Sequence, residues 1–291
     1  MGPDFLGVGA QRTGTSWLYA ALEQHPAIWL PPIKELHYFD DPNLFNTGRY
    51  YRFLRMRLIS GLWVRRPLSS WDLRYFFGAR SDDWYRRLFE PGHSRGLLTG
   101  EITPSYSVLD VAALRHIRSV SPSVKLIYIM RDPIVRSWSS IMKSRRKRGI
   151  IDLPSPEVAI AHACRGGVLN MSSYLDNIER LERVFEQDQI FYGFFEELSL
   201  DPVGFVSRVL NFLGVEPGDV RQFLPDKPIN AVATGTAPPP EFERTLAGSF
   251  LPWVERLCER FDGEPQKWRS RYEALIDRRK LFEIDACLGQ V

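Results

Sequence analysis

Residues 5–24, FLGVGAQRTGTSWLYAALEQ, contain the pattern that decides the fold. The apolar and glycine residues 5–9 predict a buried strand, and the helical pattern of Thr15 to Gln24 must stop before Pro26. The glycine-rich turn between them exposes backbone N–H groups at the start of a helix, where the helix dipole also favours anions. This strand–turn–helix unit therefore predicts an α/β protein with an anion site at its first turn.

The rest of the chain repeats the alternation of short apolar runs with helical patterns. Such alternation is typical of a parallel sheet covered by helices. We therefore predict one α/β domain over residues 1–291, with a central parallel sheet flanked by helices and an aromatic and arginine-rich insertion at about 42–95. The predicted strands are Phe5–Gly9, Gly96–Thr99, Val124–Met130 and Ile190–Phe195. The predicted later helices begin at Pro133 or cover Tyr174–Glu186, Asp201–Leu213 and Pro240–Phe261.

The net charge, the cysteines and the apolar runs of the sequence limit which functions are expected. The net charge of +3 is too small to predict a nucleic-acid partner, although arginines cluster at 49–66 and a basic run covers 143–148. The three cysteines lie far apart and have neither metal-ligand nor disulfide spacing, so we expect no metal and a reducing, cytoplasmic location. No apolar run approaches the ~18 residues that a membrane span needs. A soluble fragment of a membrane-anchored enzyme would have the same composition.

The first turn differs from a nucleoside triphosphate loop at one position. Gly9 and Gly14 have the spacing of a P-loop, but Thr15 stands where such a loop has the lysine that reaches the β and γ phosphates. Arg12 supplies a cation three residues earlier, at the mouth of the turn. A P-loop-type kinase or nucleotide hydrolase is therefore disfavoured and is kept as an alternative.

The segment Arg12–Trp17, RTGTSW, resembles the 5′-phosphosulfate loop of sulfotransferases that use 3′-phosphoadenosine 5′-phosphosulfate (PAPS), whose usual form is Lys-Ser-Gly-Thr-Thr-Trp. Arg12 stands at the family's lysine, and either cation stabilises charge on the bridging oxygen. Trp17 stands where the cytosolic branch packs a tryptophan on adenine, although core packing at helical spacing explains it equally well. The chain thus resembles the bacterial and glycan-modifying branch of the PAPS-dependent sulfotransferases, which implies PAPS as co-substrate and adenosine 3′,5′-bisphosphate as product.

A second anion site is predicted where the third strand ends. Arg131 is followed by an N-cap residue, Asp132, and a proline at the first helical position, and Ser139 lies about two turns into that helix. This spacing resembles the family's 3′-phosphate motif, and Phe195 begins a segment similar to the family's Tyr-Glu-Asp-Leu near adenine. Two separate anion sites fit a nucleotide with both 5′ and 3′ phosphates. The resemblance assigns nucleotide binding to Gln11, Arg12, Thr13, Gly14, Thr15, Ser16, Trp17, Arg131, Ser139 and Phe195.

The catalytic base is also predicted by resemblance. Sulfuryl transfer needs a group that removes the acceptor proton as the new bond forms. Residues 34–40, KELHYFD, resemble the Lys-Glu-Pro-His-Phe-Phe segment of glycan sulfotransferases, in which the glutamate is the base. Glu35 is therefore the first candidate, with Arg12 and His37 as further catalytic residues, and in an extended strand Glu35 and His37 would share a face. An ion pair of Glu35 with Lys34 and a structural histidine are the alternatives.

One segment departs from the family pattern. Residues 100–106, GEITPSY, resemble the family's Glu-Lys-Thr-Pro, but Ile102 replaces the lysine that helps to neutralise the transferring group. Either Arg12 alone supplies the charge or another residue contributes, and a non-catalytic binding protein of the same fold remains an alternative. The expected acceptor is a hydroxyl or amine of a small molecule, glycan or lipid. Aromatic residues of the insertion either line its pocket or belong to the core: Tyr50, Tyr51, Phe53, Trp63, Trp71, Tyr75, Phe76 and Phe77.

Overall fold

The computed structural model describes residues 1–40, 69–225 and 237–276. Over these residues the chain forms a five-stranded sheet in which every neighbouring pair of strands is parallel. The strands are β1 (Phe5–Gly9), β2 (Ile28–Trp29), β3 (Leu98–Ile102), β4 (Lys125–Met130) and β5 (Ile190–Phe194). Their spatial order is β2-β3-β1-β4-β5. The predicted α/β class with a central parallel sheet is confirmed.

Helices connect the strands and cover both faces of the sheet. Those before β4 are α1 (Thr15–Glu23), α2 (Ser70–Phe77), α3 (Asp82–Arg87), α4 (Glu90–His93) and α5 (Val111–Val120). Those between β4 and β5 are α6 (Pro133–Lys147), α7 (Pro156–Ala163), α8 (Gly166–Asn170) and α9 (Tyr174–Glu182). Those after β5 are α10 (Phe195–Leu200), α11 (Pro202–Leu213), α12 (Pro240–Cys258) and α13 (Glu264–Leu275). Within the described ranges, no helix has both the length and the apolar character needed to cross a bilayer.

The alternation of side chains along β4 divides the core into two layers. Leu126, Tyr128 and Met130 lie in the layer that contains α6, α9, α12 and α13. Ile127 and Ile129 lie in the opposite layer with α1 and α11, because successive side chains of a strand point to opposite faces. The helices that follow the neighbouring strands β1 and β4 therefore leave the sheet on opposite sides. In open α/β sheets, ligands bind at the carboxyl ends of two strands that diverge in this way.

The described part of the insertion forms a third apolar cluster. Trp71, Tyr75 and Phe76 are each less than 5 % exposed and pack with Leu36, so they belong to the core and do not line an acceptor pocket. Phe77 is the exception, at 64 % exposed. The other aromatic candidates, Tyr50, Tyr51, Phe53 and Trp63, and the arginine cluster at 49–66 lie outside the described residues.

The predicted position of one strand was wrong. β3 begins after residue 97 and ends at Ile102, whereas the sequence predicted a strand over 96–99. Gly96 has a φ of 67° in the turn after α4, so the strand cannot begin there. The strand continues through Glu101, which pairs with Leu6 of β1. A residue with a carboxyl side chain is unexpected in a buried strand. The helices α9 and α12 begin as predicted and end about one turn early, which is the usual uncertainty at helix ends.

Candidate active site

The first turn has the glycine and the open helix end that the sequence predicts. Gly14 is the N-cap of α1 with a φ of 83°, and a Cβ atom there would lie 2.6 Å from Leu198 Cδ2. Both the backbone conformation and the space therefore require glycine. Thr13 Oγ1 donates to the Ala10 carbonyl oxygen over 2.7 Å, and no described side chain caps the first N–H groups of α1. The helix N-terminus is thus available to an anion.

Arg12 connects the first turn to the helix after β4. Its Nε donates to Ser139 Oγ over 2.9 Å, and Arg131 Nη1 donates to the Arg12 carbonyl oxygen over 3.0 Å. Arg12 has a φ of 72°, a conformation that costs a non-glycine residue about 1–3 kcal/mol and that is common at functional sites. The two predicted anion sites therefore adjoin each other, because β1 and β4 are neighbours in the sheet.

Three arginines crowd this region. Burial lowers the pKa of Arg12, Arg131 and Arg136, and the charge of Arg131 lowers the pKa values of the other two further. Arg136 is 1 % exposed and donates to three neutral acceptors, Ser172 Oγ over 2.7 Å, the Val168 carbonyl oxygen over 2.6 Å and Ser137 Oγ over 3.4 Å. A bound anion would stabilise such a cluster of guanidinium groups.

The helix α6 is capped as the sequence predicts. Asp132 accepts hydrogen bonds from the backbone N–H groups of Ile134 and Val135, over 2.9 and 3.2 Å. The same carboxylate accepts from Tyr272 Oη over 2.8 Å and from Arg271 Nη1 over 2.5 Å. The helix α13, near the far end of the described chain, therefore fixes the start of the helix that carries Ser139.

Phe195 and Glu196 follow β5 directly. Phe195 contacts Arg131, and Glu196 contacts Asp132. The guanidinium carbon of Arg131 lies 4.1 Å from the centroid of the Phe195 ring, a cation–π contact. Glu196 Oε1 accepts from the backbone N–H of Asp132 over 2.9 Å, whereas its Oε2 is buried without a hydrogen-bond partner in the described part of the chain. Burial, partly offset by that N–H, raises the pKa of Glu196 to about 7.

Residues 34–40 form a turn and not the extended strand considered from the sequence. Glu35 and His37 have φ values of 65° and 53°, yet their side chains meet, with His37 Nε2 3.5 Å from Glu35 Oε2. His37 Nδ1 lies 2.8 Å from Asp40 Oδ2, which also accepts a hydrogen bond from Ser105 Oγ. The turn thus places an imidazole between two carboxylates. Sequence reasoning missed Asp40 and Ser105, although the three-residue spacing of His37 and Asp40 was a usable signal.

Lys34 connects Glu35 to the first turn of α1. Its Nζ lies 3.0 Å from Glu35 Oε1 and donates to Ser16 Oγ over 3.2 Å. Burial alone would raise the pKa of Glu35, but the hydrogen bond with His37 and the charge of Lys34 outweigh it and lower this pKa to about 2. Glu35 is therefore ionised at neutral pH, as a general base must be. The Lys34–Glu35 ion pair, considered as an alternative to catalysis, forms beside the predicted phosphosulfate loop.

A buried carboxyl holds this turn in place. Glu101 is 1 % exposed, and its Oε2 accepts from the backbone N–H of Leu36 over 3.2 Å and from Thr103 Oγ1 over 2.6 Å. Its Oε1 accepts from the hydroxyl groups of Tyr85 and Tyr106 over 2.5 and 3.1 Å. Burial raises the pKa of Glu101 despite these bonds. Four donors therefore explain why a carboxyl is tolerated inside β3.

The insertion also contacts the backbone of the turn. Arg80 donates to the carbonyl oxygens of His37 and Tyr38, the second over 3.0 Å. Tyr38 Oη in turn donates to Asp82 Oδ1 over 2.7 Å. Together with Tyr85, these contacts make the described part of the insertion a support for the turn around the candidate base. The sequence contained no signal for this role, because the contacts join segments more than 40 residues apart.

Ile102, which stands where the family has a lysine, is buried in the core and does not face the candidate site. Its side chain is fully buried in the layer of α1, and a Cβ atom on Gly7 would lie 2.8 Å from Ile102 Cγ1. Another cation, Lys143, lies on α6 one turn after the residue that bonds Arg12. The side chain of Lys143 is exposed, and partial desolvation and the charge of Arg12 lower its pKa, whereas the charge of Glu35 raises it. Lys143 therefore interacts with both the predicted loop and the candidate base.

The remaining predicted binding residues lie in the same loop and helix. Gln11 is exposed, Thr15 is buried, and Ser16 is half-buried. Trp17 is half-buried against the core layer of α1, so core packing accounts for part of its surface and its contact with adenine stays a prediction. All predicted site residues thus come from the turns and helices that follow β1, β2, β4 and β5.

Comparison with known proteins assigns the family. A family model described as the sulfotransferase domain matches residues 2–226, which is most of the chain. The chain belongs to this sulfotransferase family. This match confirms the predicted resemblance to sulfotransferases. It also excludes the alternative that the chain is a P-loop-type kinase or nucleotide hydrolase.

Relatives of this sulfotransferase include two kinds of heparan sulfate enzyme. The heparan sulfate glucosamine 3-O-sulfotransferase 3B1 of Mus musculus is 34 % identical over 140 residues, which are 46 % of this chain and 35 % of that protein. The bifunctional heparan sulfate N-deacetylase/N-sulfotransferase 3 of Homo sapiens is 26 % identical over 226 residues, 74 % of this chain and 22 % of that protein. The chain spans about a third or less of the length of these curated relatives.

A solved structure has the same fold as this sulfotransferase. The sulfotransferase of Alicyclobacillus acidocaldarius superposes with a TM-score of 0.65 at 25 % sequence identity. The match covers 92 % of this chain and 99 % of that one. The parallel sheet with a P-loop-like first turn is therefore the sulfotransferase fold.

Proposed function

We propose that this sulfotransferase transfers a sulfuryl group from PAPS to a hydroxyl or amine of an acceptor, with Glu35 as the general base. One observation carries the proposal: an ionised Glu35 carboxylate is linked through Lys34 to the first turn of α1, the helix that follows the turn containing Arg12. Glycans are the first acceptor class to test, because the relatives above are named for heparan sulfate. Small molecules and lipids remain the other classes.

The donor would bind along the adjoining anion sites. The free N–H groups of α1 and the guanidinium of Arg12 would hold the 5′-phosphosulfate, since helix ends and arginine both favour such groups. Arg131 and Ser139 would hold the 3′-phosphate, with the Arg131–Phe195 contact on the adenine side. Binding here would relieve the mutual repulsion of the arginines, which supports a nucleotide with two anionic groups.

Glu35 would take the proton as the acceptor attacks. The acceptor oxygen or nitrogen forms a bond to sulfur, the bond from sulfur to the bridging oxygen breaks, and adenosine 3′,5′-bisphosphate leaves. His37 would orient Glu35, because it is itself held by Asp40. Arg12 would stabilise the charge that develops on the bridging oxygen, and no divalent metal takes part.

Lys143 would provide the charge that relatives obtain from a lysine at the position of Ile102. Its electrostatic interaction with Arg12 and Glu35 supports this role, since the transferring group must lie between those two residues. Lys34 is less available for it, because its ammonium already lies against Glu35 and Ser16. Arg12 and Lys143 would together stabilise the oxygens of the sulfuryl group during transfer.

Two measurements test the proposal. The melting temperature should rise with PAPS or adenosine 3′,5′-bisphosphate and much less with ATP, since a ligand stabilises the state it binds. Transfer of labelled sulfate should then be measured across glycan, phenol and lipid acceptors, with and without a metal chelator. Stabilisation by PAPS without transfer to any acceptor class would favour the non-catalytic binding protein, and equal stabilisation by ATP would contradict the donor assignment.

A further inference from the structure

Exposed apolar side chains are concentrated in one short segment. Within the described residues, four of the eight large apolar side chains that are exposed fall between residues 150 and 158. Their exposures are 39 % for Ile150, 92 % for Ile151, 49 % for Leu153 and 56 % for Val158. Single exposed apolar residues are ordinary on a protein surface, whereas a group of them marks a contact with another apolar phase.

The same segment adjoins the basic end of α6. Arg146, Lys147 and Arg148 are exposed, and they precede Ile150 directly. Arg145 donates through Nε and Nη2 to the Asp152 carbonyl oxygen, over 3.0 and 2.8 Å, and its own carbonyl accepts from the Ile150 N–H over 3.0 Å. These bonds fold the chain back on the helix end, so cations and apolar side chains are presented by one ordered turn.

We propose that this surface, residues 145–158, binds an anionic lipid bilayer. The cations would attract lipid phosphates, and Ile150, Ile151 and Leu153 would enter the boundary between headgroups and acyl chains. Asp152 and Glu157 are the acidic residues of the segment, and the cations outnumber them. An anionic polysaccharide would account for the basic residues alone, whereas the exposed aliphatic side chains specifically match a lipid surface.

The surface lies on the helix that also contributes to the candidate site. Ser139 precedes Lys147 by eight residues, which is about 12 Å along the helix. A bilayer at residues 145–158 would therefore contact the helix that carries Ser139, and an acceptor carried by a lipid would be brought to the same molecule as the candidate site. This consequence rests on the proposed function, while membrane binding itself does not.

Sedimentation with lipid vesicles tests the proposal. The full chain should bind vesicles of phosphatidylcholine with phosphatidylglycerol, bind phosphatidylcholine alone far less, and lose binding as salt is raised. Ile151→Ser should weaken binding by about tenfold, the effect of one aliphatic side chain leaving an apolar phase. Leu200→Ser is the matched control, because Leu200 is 84 % exposed and ends α10, whose Leu198 packs in the core layer opposite that of α6, and it should bind like the wild type. Arg146→Gln and Lys147→Gln should each weaken binding by about fivefold.

The controls separate this proposal from the proposed function. Binding is measured without donor or acceptor, and a cooperative thermal transition at the wild-type melting temperature, with no nucleotide added, shows that each variant is folded. If Ile151→Ser were poorly folded, Leu153→Ser would take its place. Failure of the wild type to bind anionic vesicles would overturn the proposal. So would binding that falls with the charge variants and not with either serine variant, since that result identifies a polyanion site.

Discussion

The donor side and the base side of the site balance their charges in different ways. On the donor side, burial and repulsion from Arg131 lower the pKa values of Arg12 and Arg136. On the base side, Lys34 and His37 offset the burial of Glu35 and lower its pKa to about 2. Binding of an anion would stabilise the arginine cluster on the donor side. The Glu35 carboxylate, by contrast, is already ionised, which is the state that a general base needs. We therefore expect substitution of Arg131 to change nucleotide affinity and substitution of Glu35 to change the catalytic rate.

The largest effect is expected at the base. Glu35→Gln should lower the catalytic rate by about 10²–10⁴, the usual contribution of a general base, and leave the affinity for adenosine 3′,5′-bisphosphate nearly unchanged. Rates and nucleotide affinities of Glu35→Gln and of a surface control, Glu186→Gln, give the comparison. A more damaging His37→Ala, with Glu35→Gln still active, would transfer the basic role to His37. A Glu35→Gln protein that does not fold would assign the residue to structure.

The pH dependence tests the same carboxylate. Because the pKa of Glu35 is about 2, it stays ionised throughout the weakly acidic range, and kcat/KM should not fall there on its account. Lys34→Met removes a positive charge that favours the ionised form, so the pKa of Glu35 rises and the acidic limb of kcat/KM moves to higher pH. The limb should be absent in Glu35→Gln. An unchanged limb in Lys34→Met would show that another group titrates.

Arg12 lies at the border of the two sides and should affect turnover more than binding. Arg12→Ala should lower kcat by about 10²–10³, as expected for the loss of a group that stabilises charge in the transition state. Arg12→Lys restores the residue that the family usually has and should retain substantial activity. Steady-state rates and calorimetric affinities for the product nucleotide measure the two effects. Normal turnover of Arg12→Ala would leave the first turn with a structural role only.

A smaller effect is expected on the choice of nucleotide. Wild-type protein should bind adenosine 3′,5′-bisphosphate more tightly than adenosine 5′-phosphate, and Arg131→Ala should reduce this preference by about 1.5–3 kcal/mol, the contribution of a charged hydrogen bond. Ser139→Ala should act in the same direction, whereas its neighbour Ser140→Ala serves as the matched control. Equal binding of both nucleotides by the wild type would contradict the 3′-phosphate site.

The last effect concerns the pH dependence of stability, and neither rate nor nucleotide affinity measures it. Glu196 keeps its proton to a pH of about 7 when folded, whereas an unfolded glutamate ionises near ~4.3, so the folded state binds more protons between these values. Stability should therefore fall as pH rises through this window, on the order of 3–4 kcal/mol, since each unit of pKa difference contributes about 1.4 kcal/mol. Glu196→Gln should remove that part of the fall. A decline of equal size in the variant would assign it to other groups.

The helix cap and the glycine turn of the proposed donor site could be predicted from the sequence, because each of these parts is local. Gly14 is required by its own backbone conformation, and Asp132 caps the helix that begins one residue later. The base side was predicted less completely, since Glu35 is held by residues from other segments. The predicted strand ended at Thr99 and left out Glu101, which is stable inside β3 because four donors bond its carboxylate. Periodicity contains no information about such partners.

The hydrogen bond from Tyr272 to Asp132 also bears on how the protein is made. A ribosome synthesises every predicted donor-binding residue before it reaches residue 200, yet the cap of α6 is fully bonded only after Tyr272 has emerged. The helices α12 and α13 also contribute Phe242, Phe250 and Trp268 to the larger core layer. A nascent chain can therefore complete the cap of α6 only after residue 272 has left the ribosome, and nucleotide capture at the proposed site would mark a chain synthesised at least that far.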